Sequence, residues 1–374
     1  MDNTGIQKLE PQRNSSIELI KIIAMIMIVI SHSMSVSKTS AEGTINIHLA
    51  TGNVELILAQ LCRYLGAIGN NVFLIGSSWF LLNSRRAKPS KIISMILDSF
   101  LLSVSLLLAV SGMGYEIPFL TAVKQFFPIT FGNNWFLTCY LLMYAVHPIL
   151  NVVVEHIGKR DLGQINLGFL TLYCGIGLVL NGGAYFFSEF VGFVGVYFLT
   201  AYWKKYLHPE NVSSQLYFKA LIVGIIGWIG VQVGTNVVGL VIPFFKDSCM
   251  RLCHFYNPLI LLIGFSMVSL SLKHTFCNRL VNRVSGLSLL IYLIHENNLV
   301  AKLIRPDVFL YWERQFGNTH IVGRILAYAG LSFVISIGIA GLYTVTVQRV
   351  TEKIGRYLGN RFFARSKENE SSAG

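Results

Sequence analysis

Eight long windows of this chain, starting at Ile17, Ile92, Trp135, Leu162, Phe187, Tyr217, Asn257 and Gly323, are almost free of charged residues. A water-soluble helix of such length carries a polar face, and these windows mostly lack one. Crossing a bilayer takes ~20 apolar residues at 1.5 Å rise each. Only helices and closed barrels satisfy their backbone in lipid. The windows therefore predict an all-α, polytopic integral membrane bundle. The chain as a whole agrees, with 13% charged residues and a mean hydropathy of +0.58, where soluble domains are about a quarter charged.

About ten transmembrane helices are expected, over 17–36, 64–83, 92–112, 134–155, 163–182, 184–203, 217–239, 256–273, 284–303 and 323–347. The second is interrupted by Gly66, Gly69, Asn70 and Asn71, and the ninth contains His295, Glu296, Asn297 and Asn298. With the N-terminus inside, twenty Lys and Arg fall on inner segments and nine on outer ones, Lys38 among the nine. The positive-inside rule then puts both termini in the cytoplasm. The expected layout is a cytoplasmic segment 1–16, a membrane domain 17–349 and a basic cytoplasmic tail 350–374 that lies at the interface and ends in a disordered Ser/Glu stretch. Sixteen mostly polar residues before the first apolar run, with no A-x-A site after it, argue against a signal peptide.

The net charge of +12 would suggest nucleic acid in a soluble protein. Here topology explains it, and no nucleic-acid partner is expected. The six cysteines are scattered and read as small buried hydrophobes. Cys249, Cys253 and His254 share one connection but do not complete a tetrahedral site, so no metal is expected.

Four segments carry polarity that could do chemistry. In the first helix, Asn14 or Ser15 can cap the start, with Glu18 completing a capping box. Lys21 and His32 are eleven residues apart, three turns and ~16 Å, so Glu18, Lys21 and His32 share one face. Ionisable groups aligned inside a membrane line a pathway or a site, and a neutral imidazole can take a proton from a hydroxyl. The connection after the second helix holds Arg85, Arg86, Lys88 and Lys91, a cation density that serves topology and can also grip phosphates. Gly76, Ser77 and Ser78, just before it, permit close packing or passage of a thin ligand. Residues 132–151 combine Trp135, an interfacial aromatic, with His147 and Pro148, which predict a kink. Residues 285–298 concentrate polarity that must face protein or a cavity.

Together these segments resemble acyltransferase family 3, the membrane O-acyltransferases that modify bacterial polysaccharides. That family's first helix carries Arg or Lys, ten residues, then His, matched by Lys21 and His32. Its R-x-x-R motif resembles Arg85-Arg86-Ala87-Lys88, with Lys88 keeping the charge but not the bidentate fork. Its W-F-L segment is similar to Trp135-Phe136-Leu137, and its Y-L-x-H to Tyr292, Leu293 and His295. The likeness spans residues 13 to about 350. It implies transfer of an acyl group, usually acetyl, from cytoplasmic acyl-CoA to a sugar hydroxyl, in a multi-pass protein of the bacterial cell membrane. Acyl-CoA is then a co-substrate, no cofactor is held permanently, and membrane lipid and a lipid-linked or polymeric glycan acceptor are the other partners. Glu18, Lys21 and His32 become the catalytic candidates, with His32 as general base. Arg85, Arg86 and Lys88 would bind acyl-CoA, and Trp135, Tyr292 and His295 would wall the site. Some family members carry a fused extracytoplasmic hydrolase-like domain. None is expected here, so the chain acylates its acceptor directly or through a separate extracytoplasmic transferase. The competing reading is a glycan polymerase, flippase or transporter of the same pathway. It is disfavoured by the short outer connections and by the absence of any repeat.

Overall fold

The computed structural model describes residues 14–34, 47–131, 134–181, 189–317 and 320–371, with 181 and 362–371 described through their backbone alone. Most of the expected N-terminal segment, Lys38, the ends of the first and sixth expected spans and the last three tail residues lie outside these ranges. The described residues form helices and turns, with no strand among them. In chain order the helices are α1 (Ser15–Ser33), α2 (Val54–Leu81), α3 (Pro89–Gly112), α4 (Phe119–Phe126), α5 (Trp135–His156) and α6 (Lys159–Gly168). A π-helical stretch, Phe169–Gly177, leads to α7 (Leu178–Asn181). Then come α8 (Glu189–Tyr202), α9 (Ser214–Val241), α10 (Pro258–Lys273), α11 (Arg279–Gly286), α12 (Ser288–His295), α13 (Arg305–Phe316), α14 (Ile321–Tyr343) and α15 (Arg349–Ser371).

Among the described residues, six helical stretches are long and apolar enough to cross a membrane: 15–33, 89–112, 135–156, 159–180, 214–241 and 321–361. Large apolar side chains on α9, among them Val223, Ile226 and Val241, are exposed, as suits a helix whose outer solvent is lipid. At the centre, α1 packs against α2, α10, α11, α12 and α14. Its close approach to α2 depends on two glycines. A Cβ on Gly66 would run into the Ser31 side chain, and one on Gly69 would lie 2.5 Å from the Ala24 carbonyl oxygen. Small residues at such crossings let helix backbones meet in membranes.

Local signals set several helix starts. The Asn14 side chain accepts from the Ser16 amide (3.0 Å) and caps α1. Ser15 instead accepts from the Asn278 amide (2.7 Å) and donates to Asn282 Oδ1 (2.8 Å), so the capping box does not form. Asn53 caps α2, accepting from the Glu55 and Leu56 amides, and α2 starts ten residues before the expected span. Its early turns are too polar to read as a span. Their buried polar residue is satisfied by long-range bonds instead: Gln60 Oε1 accepts from Gln232 and Asn236, each at 2.7 Å.

The expected ninth span is broken. α11 and α12 are separate short helices, and α12 ends at His295, after which Glu296 and Asn297 turn the chain. α5 runs through Pro148 without interruption. The tail continues from α14 as helix and lies along the start of α3, where Gly355 and Gly359 approach Ser94 and Ser90.

Candidate active site

The turn after α12 brings three groups, His295, Glu296 and Arg305, against one that is far away in sequence, His32. His32, near the end of α1, and His295, at the end of α12, stack with ring centroids 5.2 Å apart. His295 Nδ1 donates to the Ile291 carbonyl (2.7 Å), the residue one turn earlier on the same helix. A carbonyl only accepts, so this bond fixes the proton on Nδ1 and leaves the lone pair of neutral His295 on Nε2. That Nε2 lies 3.0 Å from His32 Nδ1, and Glu296 Oε2 lies 3.0 Å from the same nitrogen. Both neighbours accept, so His32 carries its proton on Nδ1. The lone pair of its neutral form is on Nε2. This is the logic by which a partner on one ring nitrogen sets the tautomer of the other.

Arg305, 2% exposed, locks the arrangement. Its guanidinium donates to the His32 carbonyl (2.8 Å) and the His295 carbonyl (2.9 Å), and it reaches Glu296 Oε2 at 3.2 Å. The bonds to two carbonyls satisfy backbone groups at the ends of α1 and α12, and the contact with Glu296 balances a carboxylate that burial alone would disfavour. His32 Nδ1, His295 Nε2 and a Glu296 oxygen lie within 4.8 Å of one another and offer ligand atoms for a metal ion. The guanidinium already supplies positive charge to that carboxylate, and the 3.0 Å spacings are those of hydrogen bonds. The chemistry of the group is that of a hydrogen-bonded acid–base cluster.

At the other end of α1, Glu18 accepts from the Ser285 hydroxyl and pairs with Lys21 Nζ at 3.4 Å. Both line a cavity of about 280 Å³ whose walls include Asn70, Ser77, Lys91, Tyr140 and Tyr292. A second cavity, of about 200 Å³, is lined by His32, Arg63, Asn70, Trp135, Glu189 and His254, among others. Asn70 is the residue common to both linings. The stripe of α2 that lines the cavities runs Arg63, Gly66, Ala67, Asn70, Phe73, Ser77, a helical i, i+3, i+4, i+7 pattern. The matching stripe of α1 runs Glu18, Lys21, Met25, Ile28, Ser31, His32.

The expected residues thus separate into three places. Glu18, Lys21 and Tyr292 line the larger cavity, and Trp135 lines the smaller one with His32. His295 sits in the cluster beside His32, and the Tyr292 ring lies 6.5 Å from that of His32. Arg85, Arg86 and Lys88 are exposed on the connection between α2 and α3 and line neither cavity; the cation of that connection's run that does is Lys91. Sequence reasoning missed Arg305, which it counted as a loop cation, and gave Glu296 no individual role. No spacing rule joins residue 305 to residue 32, because their contact exists only through the break after α12.

A family model described as an acyltransferase domain matches residues 14–343. No curated protein and no solved structure matches the chain. The model spans most of the sequence, and the chain belongs to acyltransferase family 3, a family of membrane acyltransferases.

Proposed function

We propose that this protein is an O-acyltransferase that moves an acetyl group from cytoplasmic acetyl-CoA to a sugar hydroxyl of a cell-surface or exopolysaccharide. It works in the bacterial cell membrane as a ten-span protein with both termini inside. The observation that carries the reading is the setting of His32: its Nδ1 lies 3.0 Å from both Glu296 Oε2 and His295 Nε2, two acceptors that favour the proton on Nδ1 and so assign the role of base to Nε2.

In this reading the donor enters the cavity of Glu18, Lys21 and Lys91, with its phosphates outside at Arg85, Arg86 and Lys88. The acceptor enters the cavity of His32 and Trp135, where an aromatic face suits a sugar ring. His32 Nε2 takes the hydroxyl proton as the acceptor oxygen bonds to the thioester carbonyl carbon. The carbon–sulfur bond then breaks, and the imidazolium returns the proton to the departing thiolate. Glu296, held by Arg305, stabilises the transient imidazolium as the carboxylate of a catalytic triad does. Lys21 orients the donor. The product glycan leaves on the acceptor side, directly or to a separate extracytoplasmic transferase.

Proteoliposomes given labelled acetyl-CoA and a glycan acceptor test this. His32→Ala should lower transfer about 10²–10⁴-fold, the usual worth of a general base, with the protein still folded. Transfer at the wild-type rate in that variant would remove His32 from the mechanism.

A further inference from the structure

Two adjacent asparagines on α2 have divergent roles. Asn71 is fully buried and structural: its Nδ2 donates to the Phe255 carbonyl (2.8 Å), and its side chain occupies the space beside Gly264 where a Cβ would stand. Asn70 is also buried, at 9% exposure, yet among the described residues its amide has no hydrogen-bond partner. Unlike Asn71 Oδ1, the Asn70 amide atoms are not sealed in protein, so the group opens into the cavities, where a ligand or water must supply its hydrogen bonds. Asn70 stands where the Lys21 cavity and the His32 cavity share a wall. The close crossing at Gly66 and Gly69 holds this part of α2 against the stripe of α1 that ends at His32.

Acyl transfer between a donor in one cavity and an acceptor in the other puts the reacting carbonyl where the two meet. When the acceptor oxygen adds to that carbon, the carbonyl electron pair moves onto oxygen, and a preorganised N–H donor there lowers the barrier. His32 is occupied as the base. Arg63 is held at Ser31, donating to its hydroxyl at 2.8 Å, and Tyr292 lines the donor cavity alone. We infer that Asn70 is the oxyanion donor: its Nδ2–H groups bond the thioester oxygen as it becomes negative, then release it when the carbon–sulfur bond breaks. The inference rests on the acyltransferase reading above and adds to it a catalytic residue on α2.

Asn70→Asp tests it with an isostere that replaces the N–H donors by a carboxylate oxygen, and Asn70→Ala tests it by truncation. Both should lower kcat about 10²–10³-fold, the effect of removing one such donor. KM for acetyl-CoA should stay within a few-fold, and a non-reactive thioether analogue of acetyl-CoA should bind wild type and both variants equally. Analogue binding reports a folded donor cavity, so a variant that lost its fold would be recognised by losing the analogue; Asn70→Ser, which retains one hydroxyl donor at smaller size, then takes its place and should keep part of the rate. Full kcat in the Asp and Ala variants overturns the assignment. So does a loss of rate that follows loss of analogue affinity in all three. If wild-type protein moves no label in the same vesicles, the acyltransferase reading fails instead, and the two failures are told apart.

Discussion

The two polar ends of α1 are built differently. At one end Glu18 and Lys21 are neighbours three residues apart on the same helix, with Lys21 Nζ at 3.4 Å and the lysine side chain 22% exposed. At the other, His32 meets groups 263 to 273 residues away through bonds of 2.8–3.0 Å, with His295 and Arg305 buried and Glu296 at the edge of the cluster, its side chain 26% exposed. A local i, i+3 pair contributes a few tenths of a kcal/mol and can open for a ligand. A cluster closed by a buried guanidinium cannot rearrange without leaving a charge or a carbonyl unpaired. The first end is suited to admitting a substrate and the second to holding a base in one tautomer. The mechanism proposed above needs both properties, and they lie apart on one helix.

The sharpest way to break the comparison is Arg305→Ala. Removing one partner of a buried ion pair typically costs about 3–5 kcal/mol, and here two carbonyls also lose their donor. Thermal unfolding in detergent should show a large drop, and an unchanged midpoint would mean that the cluster is not held by Arg305. Glu296→Gln is gentler, since the amide can still accept from His32 Nδ1 but carries no charge. We expect kcat to fall about 10²-fold with the KM for acetyl-CoA nearly constant, as for an interaction made in the transition state. A rise in that KM at constant kcat would move Glu296 from base support to donor binding. The smallest effect belongs to the open end. Arg85→Gln with Arg86→Gln should raise the KM for acyl-CoA by about tenfold or less, with the acceptor KM unchanged, because exposed charges interact weakly through water. No change at all would assign the pair to membrane topology.

Much of this was legible beforehand. Placing Glu18, Lys21 and His32 on one face required only the helical period, and all three line cavities along that face. The polar run from His295 to Asn298 marked a place where the chain must meet protein or a cavity, and there α12 ends. Other parts were hidden for specific reasons. The start of α2 was read ten residues late because Gln60 and Arg63 depress its hydropathy, and nothing local announces that Gln232, Asn236 and Ser31 will satisfy them. Asn70 and Asn71 looked alike as interruptions, and only their neighbours separate a structural amide from one facing the cavities. Lys91 could not be told from Arg85, Arg86 and Lys88 by composition.

What the sequence by itself determined is the class and its rows. Charge-free windows require a helical membrane protein, because lipid offers the backbone no other partner, and 3.6 residues per turn decide which side chains share a face. What only the tertiary structure decided is which rows meet. The break after His295 turns Glu296 and Arg305 back onto α1, so that two acceptors, Glu296 Oε2 and His295 Nε2, each stand 3.0 Å from His32 Nδ1 and favour the proton there. A tautomer is set by the acceptors around a ring, and those acceptors are neighbours in space, supplied from hundreds of residues away along the chain.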